Sequence, residues 1–237
     1  MNVYGGMTMG NRPDFSYVAK LMADSSRAAM LDALLGLDGL PATELARKAN
    51  VSLQTASGHL SKLVEGELVC VEQHGRHRYF RLASTDVAQA IETLTVIAPP
   101  ARISSLKDSS RAEKIKIART CYDHLAGKLG VALTGAFIEK GYLVEAQDDY
   151  IVTDKGETFF HEFEIDLYSS RKKRRHFARK CLDWSERRYH LAGSLGHAVL
   201  MRLFDLNWIE NLPDRAVKIT KVGEKGFESL GITKKQL

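Results

Sequence analysis

Between Thr43 and Leu82, apolar positions recur first at helical and then at alternating spacing, with turn residues between the runs. A short helix carries Leu45, Ala46 and Ala49 on one side, and the small Ala46 admits a close neighbour. Asn50 can take the left-handed conformation that ends a helix, and Val51 fits the angle that follows. Ser52 is placed to cap the next helix by accepting a bond from an orphan backbone N–H. In that helix Leu53, Ala56, Leu60, Leu63 and Val64 share one arc. Gln54, Thr55, Gly58, Ser61 and Lys62 share the opposite arc, and Gly66 closes the helix. The pattern then alternates over Leu68–Glu72, turns at His74-Gly75, and resumes over Arg76–Leu82. Helix, turn, longer helix and basic hairpin form a helix-turn-helix with a wing.

The flanks extend this pattern. Residues 1–12 lack periodicity and read as a flexible tail. Pro13 or Asp14 opens a helix with Phe15, Val18, Leu21 and Met22 in one stripe. Ser25 or Ser26 caps the next, with Ala29, Met30, Ala33 and Leu34 facing inward. After the wing, Thr85–Ala98 is helical with a seam of Ala88, Ile91, Leu94 and Thr95, and Pro99-Pro100 breaks the chain. The expected layout is a winged domain over 13–98, a linker over 99–108 and a second domain over 109–237.

That second domain repeats itself. His124–Gly130 reads HLAGKLG and His190–Gly196 reads HLAGSLG, six of seven positions agreeing. Val152-Thr153-x-x-Gly156-Glu157-x-x-Phe160 matches Ile219-Thr220-x-x-Gly223-Glu224-x-x-Phe227. Two copies, about 109–168 and 171–237, are each expected to run helix, helix, hairpin and closing helix, as degenerate winged-helix-like units. Such copies pack on one another because neither buries its apolar face alone. The expected fold class is mainly α with small β-hairpins (α+β).

The segment ELARKANVS, the run TASGHLSKLVEGELV and the wing HGRHRYFRL together resemble the ArsR family of small winged-helix repressors, over roughly residues 14–98. The resemblance implies a homodimer, double-stranded DNA as partner, and two recognition helices in successive major grooves of a palindromic operator. It also implies repression relieved by an effector. On this reading Gln54, Thr55, Ser57, Gly58, His59, Ser61 and Lys62 face the groove, and Arg76, Arg78 and Tyr79 reach the backbone. The alternative for the hairpin arginines is a solvated edge that discourages strand pairing.

Net charge qualifies this picture. The chain carries +5, yet residues 1–100 hold nine basic and ten acidic groups, so the excess lies in the second half. Few phosphate contacts per subunit are then available, and dimerisation doubles them. The run Arg171–Lys180 has seven Lys or Arg in ten residues and reads as one solvated helix face, with flanking DNA as the alternative. Three well-separated cysteines argue against a disulfide framework and for a reducing cytoplasm. No leader pattern and no membrane-length apolar window is seen, so no membrane partner is expected.

For chemistry, the resembled family offers two metal positions. One needs cysteines in the helix before the recognition helix, where Ala42–Ala49 has none. The other needs an Asp/His set after the wing, where Thr85–Ala98 has Asp86 and Glu92 but no histidine. No metal and no cofactor is therefore expected along family lines. A different set, Cys121, His124, Cys181, Asp183 and His190, has donor types that suit zinc, with Cys121 and His124 expected on one helical face. The same residues with Trp184 could instead line a pocket for a small planar effector, hold a polar network, or sense thiol oxidation through Cys121 and Cys181. A Gly-rich phosphate loop, a nucleophile elbow and a paired-histidine helix are all missing, so no enzyme is expected. The remaining alternative is a nucleoid-architectural DNA-binding protein.

Overall fold

The computed structural model describes residues 13–36, 39–99 and 106–237. The expected tail at 1–12 and most of the expected linker lie outside those residues. The chain is α+β and divides into two compact units, one of residues 1–32 and 40–83, the other of 33–39 and 84–237. No helix among the described residues is long and apolar enough to cross a membrane.

The first unit contains α1 (Phe15–Met22), α2 (Ser25–Ala33), β1 (Leu40–Pro41), α3 (Ala42–Lys48), α4 (Leu53–Glu65), β2 (Val69–His74) and β3 (His77–Leu82). Asp14 caps α1 by accepting from Ser16 and Tyr17 N–H. Asp24, rather than either serine, caps α2, accepting from Arg27 N at 2.9 Å. Arg27 is buried and ties the two helices, donating from Nε to Leu21 O at 2.6 Å and from a terminal nitrogen to Lys20 O at 2.8 Å. The strands form one antiparallel sheet in the order β1-β3-β2.

The second unit begins with α5 (Thr85–Ile97), capped by Ser84. Then come α6 (Leu106–Ile117), β4 (Arg119–Cys121), β5 (His124–Ala126), α7 (Gly127–Glu139), β6 (Leu143–Glu145), β7 (Tyr150–Val152) and α8 (Asp154–Glu162). The same order returns as α9 (Leu167–Lys172), β8 (Arg179–Leu182), β9 (Tyr189–Ala192), α10 (Gly193–Asp205), β10 (Ile209–Asn211), β11 (Val217–Ile219) and α11 (Lys221–Ser229). Each copy thus keeps the two expected helices, the later hairpin and the closing helix, and adds an unexpected hairpin between the first helix and the second. The run Arg171–Lys180 is likewise not one helical face, since it crosses the end of α9, a loop and the start of β8.

The two copies exchange partners. β5 lies beside β9, α7 packs on β9, and α10 packs on β5. Thr120 N donates to Arg215 O at 2.9 Å, and Lys180 N to Asp148 O at 3.0 Å, so each copy's first hairpin is met by the other's second. One apolar core results, with Leu129, Phe137 and Phe160 from one copy against Leu195, Leu203 and Phe227 from the other. Each such side chain, fully buried, contributes about 1.5–3 kcal/mol.

The HLAG-x-LG signature follows from this exchange. Gly127 and Gly193 sit at φ +78° and +80°, where a Cβ would also stand 2.7 and 2.6 Å from the carbonyls of Lys116 and His176. Gly130 and Gly196 let α7 and α10 approach the Leu125 and Leu191 carbonyls, which a Cβ would meet at 2.5 and 2.6 Å.

Candidate functional site

In the first unit the chain turns between α3 and α4 through Asn50, whose φ of 53° is the left-handed conformation read from its sequence. Ser52 Oγ accepts Thr55 N at 3.1 Å and starts α4. Ala56, Leu60 and Leu63 seat the helix in the core. Leu53 and Val64, expected on that arc, are instead 49% and 37% exposed, so the buried stripe is narrower than the apolar pattern.

Gln54, Thr55, Ser57, Gly58, Ser61 and Lys62 are all exposed. The Ser57 and Ser61 hydroxyls donate to Leu53 O and Ser57 O within the helix, which leaves their oxygen lone pairs facing outward as acceptors. A Cβ at Gly58 would meet nothing within 4 Å, so no packing inside the chain requires glycine there. His59 is placed differently. Its Nδ1 lies 3.4 Å from an Arg27 terminal nitrogen and 3.7 Å from Asp24, so it leans on the α1–α2 corner.

The wing is a six-pair antiparallel ladder closed by Gly75 and Arg76, with Gly75 at φ +61°. Phe80 and Leu82 anchor its base. Arg76 and Arg78 are exposed toward the tip, Arg78 at 5.9 Å from the Phe80 ring centre. Tyr79 is half-buried, on the opposite face from Arg78.

The second unit gathers the remaining candidate residues in its interior. Cys121 pairs directly with His124 across β4 and β5, and Cys181 with His190 across β8 and β9. The expectation that Cys121 and His124 share a helix face is corrected here. Tyr122 adopts φ 59°, and a two-residue turn sets the pair side by side on a hairpin. The two hairpins stack so that Cys121 Sγ lies 3.9 Å from Cys181 Sγ, and His124 Nε2 lies 3.1 Å from His190 Nε2. All four are buried, with Ala126 and Ala192 beside the sulfurs. Their donor atoms lie within 4.8 Å of one another. The Cys181 hydrogen bond and burial push the Cys121 thiol well above its ordinary range.

Asp183 and Trp184 do not join this quartet. Arg119, fully buried, donates to Asp183 Oδ2 at 2.8 Å and lies over the Trp184 ring at 4.4 Å. Asp183 also accepts Gly127 N at 2.7 Å, Ser185 N at 2.9 Å and Glu186 N at 3.0 Å. Burial opposes its ionisation, but Arg119 and His190 hold its carboxyl well below the usual range. On the other side of the quartet Arg175 pairs with Asp123 and donates to Gly193 O at 3.1 Å. The cavity bounded by Leu125, Gly130, Thr134, Leu191, Gly196 and Val199 measures about 10 Å³, close to one water molecule.

Two contacts that the sequence did not reveal join α5 to this centre. Glu92, buried on α5, accepts from Arg215 at 2.5 Å, and Arg215 O receives Thr120 N. Burial opposes ionisation of Glu92, yet Arg215 and Arg119 hold its carboxyl below the ordinary range. Arg187, in the loop between β8 and β9, donates to Val96 O at 2.7 Å. No local pattern marks these pairs, since Glu92 and Arg215 are 123 positions apart.

A polar helix held outward by a helix-turn-helix, followed by a basic wing, defines a DNA-binding regulator. A helix-turn-helix domain model matches residues 22–72. The HTH-type transcriptional regulator YdfF of Bacillus subtilis (strain 168) is 46% identical over 217 residues, 91% of this chain and 96% of YdfF. The arsenical resistance operon repressor of Staphylococcus aureus is 32% identical over 84 residues, 35% of this chain and 80% of that repressor. Among solved structures, the homodimeric winged helix-turn-helix domain of Mb0332 from Mycobacterium bovis is 29% identical with a TM-score of 0.33, covering 38% of this chain and 89% of that one. The chain belongs to the ArsR family of winged helix-turn-helix transcriptional regulators. The match to YdfF runs over nearly both whole chains, so that relative extends well beyond the winged domain as well.

Proposed function

We propose that this protein is a cytoplasmic, homodimeric repressor that reads a palindromic operator with α4 and is controlled through its second unit. The observation that carries the reading is the outward arc of α4 beside the basic wing. Amides and hydroxyls suit base edges, and Lys62, Arg76 and Arg78 suit phosphates. His59 acts through its contact with Arg27 and Asp24, as a positioning group for α4, and Tyr79 steadies the wing.

Dimerisation is supported by apolar side chains left in solvent, Phe15 at 80% and Tyr17 at 45% on α1, and Leu94 at 48% and Ile97 at 75% on α5. The seam expected on α5 is only half covered within one chain, since Ala88 is buried while Leu94 is not. In ArsR-type repressors a helix at this position crosses its twofold mate. The Glu92–Arg215 and Val96–Arg187 bonds then tie a dimer helix to the Cys–His hairpins. An effector acting on the hairpins of the second unit would reach α5 by that route.

Arg78→Ala tests the wing. It is expected to weaken binding to all DNA sequences alike and to lower the salt slope by about 1, the signature of one phosphate no longer neutralised. Fluorescence anisotropy titrations at several salt concentrations measure this, and an unchanged slope and affinity would remove the wing from the interface.

A further inference from the structure

We infer that Cys121, His124, Cys181 and His190 form a tetrahedral site for one zinc-class divalent ion, which cross-links the two repeats. The geometry carries this. A tetrahedral zinc with ordinary bond lengths sets its two sulfurs about 3.8 Å apart and its two nitrogens about 3.3 Å apart. The observed separations are 3.9 Å and 3.1 Å. The four donors come from two cross-strand pairs at matching places in the two hairpins.

The surroundings fit a metal centre as well. Both imidazoles turn Nε2 toward the shared point and Nδ1 toward a carboxylate, His124 to Asp123 at 3.5 Å and His190 to Asp183 at 3.7 Å. Metal-bound histidines use their second nitrogen in this way, which fixes the tautomer. His190 Nδ1 has no hydrogen-bond partner within bonding distance, an expensive state for a nitrogen in a 1% exposed residue. A bound dication draws its N–H toward Asp183. Two thiolates cancel the charge of the ion, so the filled centre adds no net charge to the interior. Four protein ligands leave no open position, which marks a structural rather than a catalytic ion.

The site escapes a spacing search because the copies are not equal. The cysteines are 60 positions apart and the histidines 66, so the second hairpin carries six extra residues. Those extra residues bring Asp183, Trp184 and Arg187 into the loop.

The test uses the full chain, stripped by chelator under reducing conditions and titrated with cobalt(II) or zinc(II) alone. One equivalent of cobalt is expected to saturate the intense visible bands of a tetrahedral site together with thiolate charge-transfer absorption. Zinc is expected to displace it one for one and to raise the Tm by several degrees. Cys121→Ser with Cys181→Ser is expected to lower affinity by at least a hundredfold, whereas Cys70→Ser leaves stoichiometry and spectrum unchanged. The spectrum is read on the unaltered chain, so a variant that fails to fold does not decide the matter. Absence of the tetrahedral spectrum would overturn the inference. So would native mass spectrometry showing a metal-free chain lighter by two hydrogens, with Cys121 and Cys181 joined as a disulfide.

Discussion

Arg119→Met is expected to lower the stability of the second unit by about 3–5 kcal/mol, because it leaves Asp183 as an unpaired buried carboxylate. Both side chains are at most 1% exposed, and their 2.8 Å contact joins the first hairpin of one copy to the loop of the other. Asp183 keeps its backbone donors at Gly127, Ser185 and Glu186, so the charge stays where it is and loses only its counterion. The readout is selective. Both tryptophans, Trp184 and Trp208, lie in the second unit, so urea unfolding followed by tryptophan fluorescence reports that unit alone. Asp183 has a lowered folded-state pKa, so its contribution is full above the ordinary carboxylate value and is lost as the pH falls below about 3.8. Arg119→Met should therefore flatten the acid limb of the stability profile. A loss well under 1 kcal/mol with the acid limb unchanged would show the pair to be energetically idle.

The second large effect concerns association. Leu94→Asp with Ile97→Asp places two charges on an α5 face that the chain itself leaves exposed. The variant is expected to be monomeric in sedimentation velocity, with tryptophan-detected unfolding little changed. Operator affinity is expected to fall by about 10²–10⁴-fold, the usual scale on which a second, linked binding module raises avidity. A persistent dimer, or full affinity from a monomer, would contradict the dimer proposal.

Sequence pattern alone reached the helix-turn-helix and its wing because each local cue there agrees with the next. Asn50 turns left-handed, Ser52 caps, Ala56, Leu60 and Leu63 bury, and the hairpin turns on a glycine. The periodicity misjudged only the edges of that stripe, at Leu53 and Val64. The second unit was harder to read. His124–Ala126 is a strand of three residues, too short to show an alternation, and HLAG read forward continues into a true helix. Cys121-x-x-His124 has the spacing of one helical turn, but the left-handed Tyr122 folds it into a hairpin. The repeat itself was legible because its glycines are demanded by backbone contacts rather than by side-chain chemistry. The ion pairs between distant positions, Arg119–Asp183 and Glu92–Arg215, leave no periodic trace at all.

The reading face of α4 is tested most directly by selection from a random-sequence DNA pool with the full chain and with Gln54→Ala. The wild type is expected to enrich an inverted repeat with half-sites about one helical turn apart. Gln54→Ala is expected to keep the spacing while changing the preferred bases within each half-site. Enrichment of no motif, or of the same bases at the same strengths by both proteins, would contradict the assignment of α4 as the element that reads DNA.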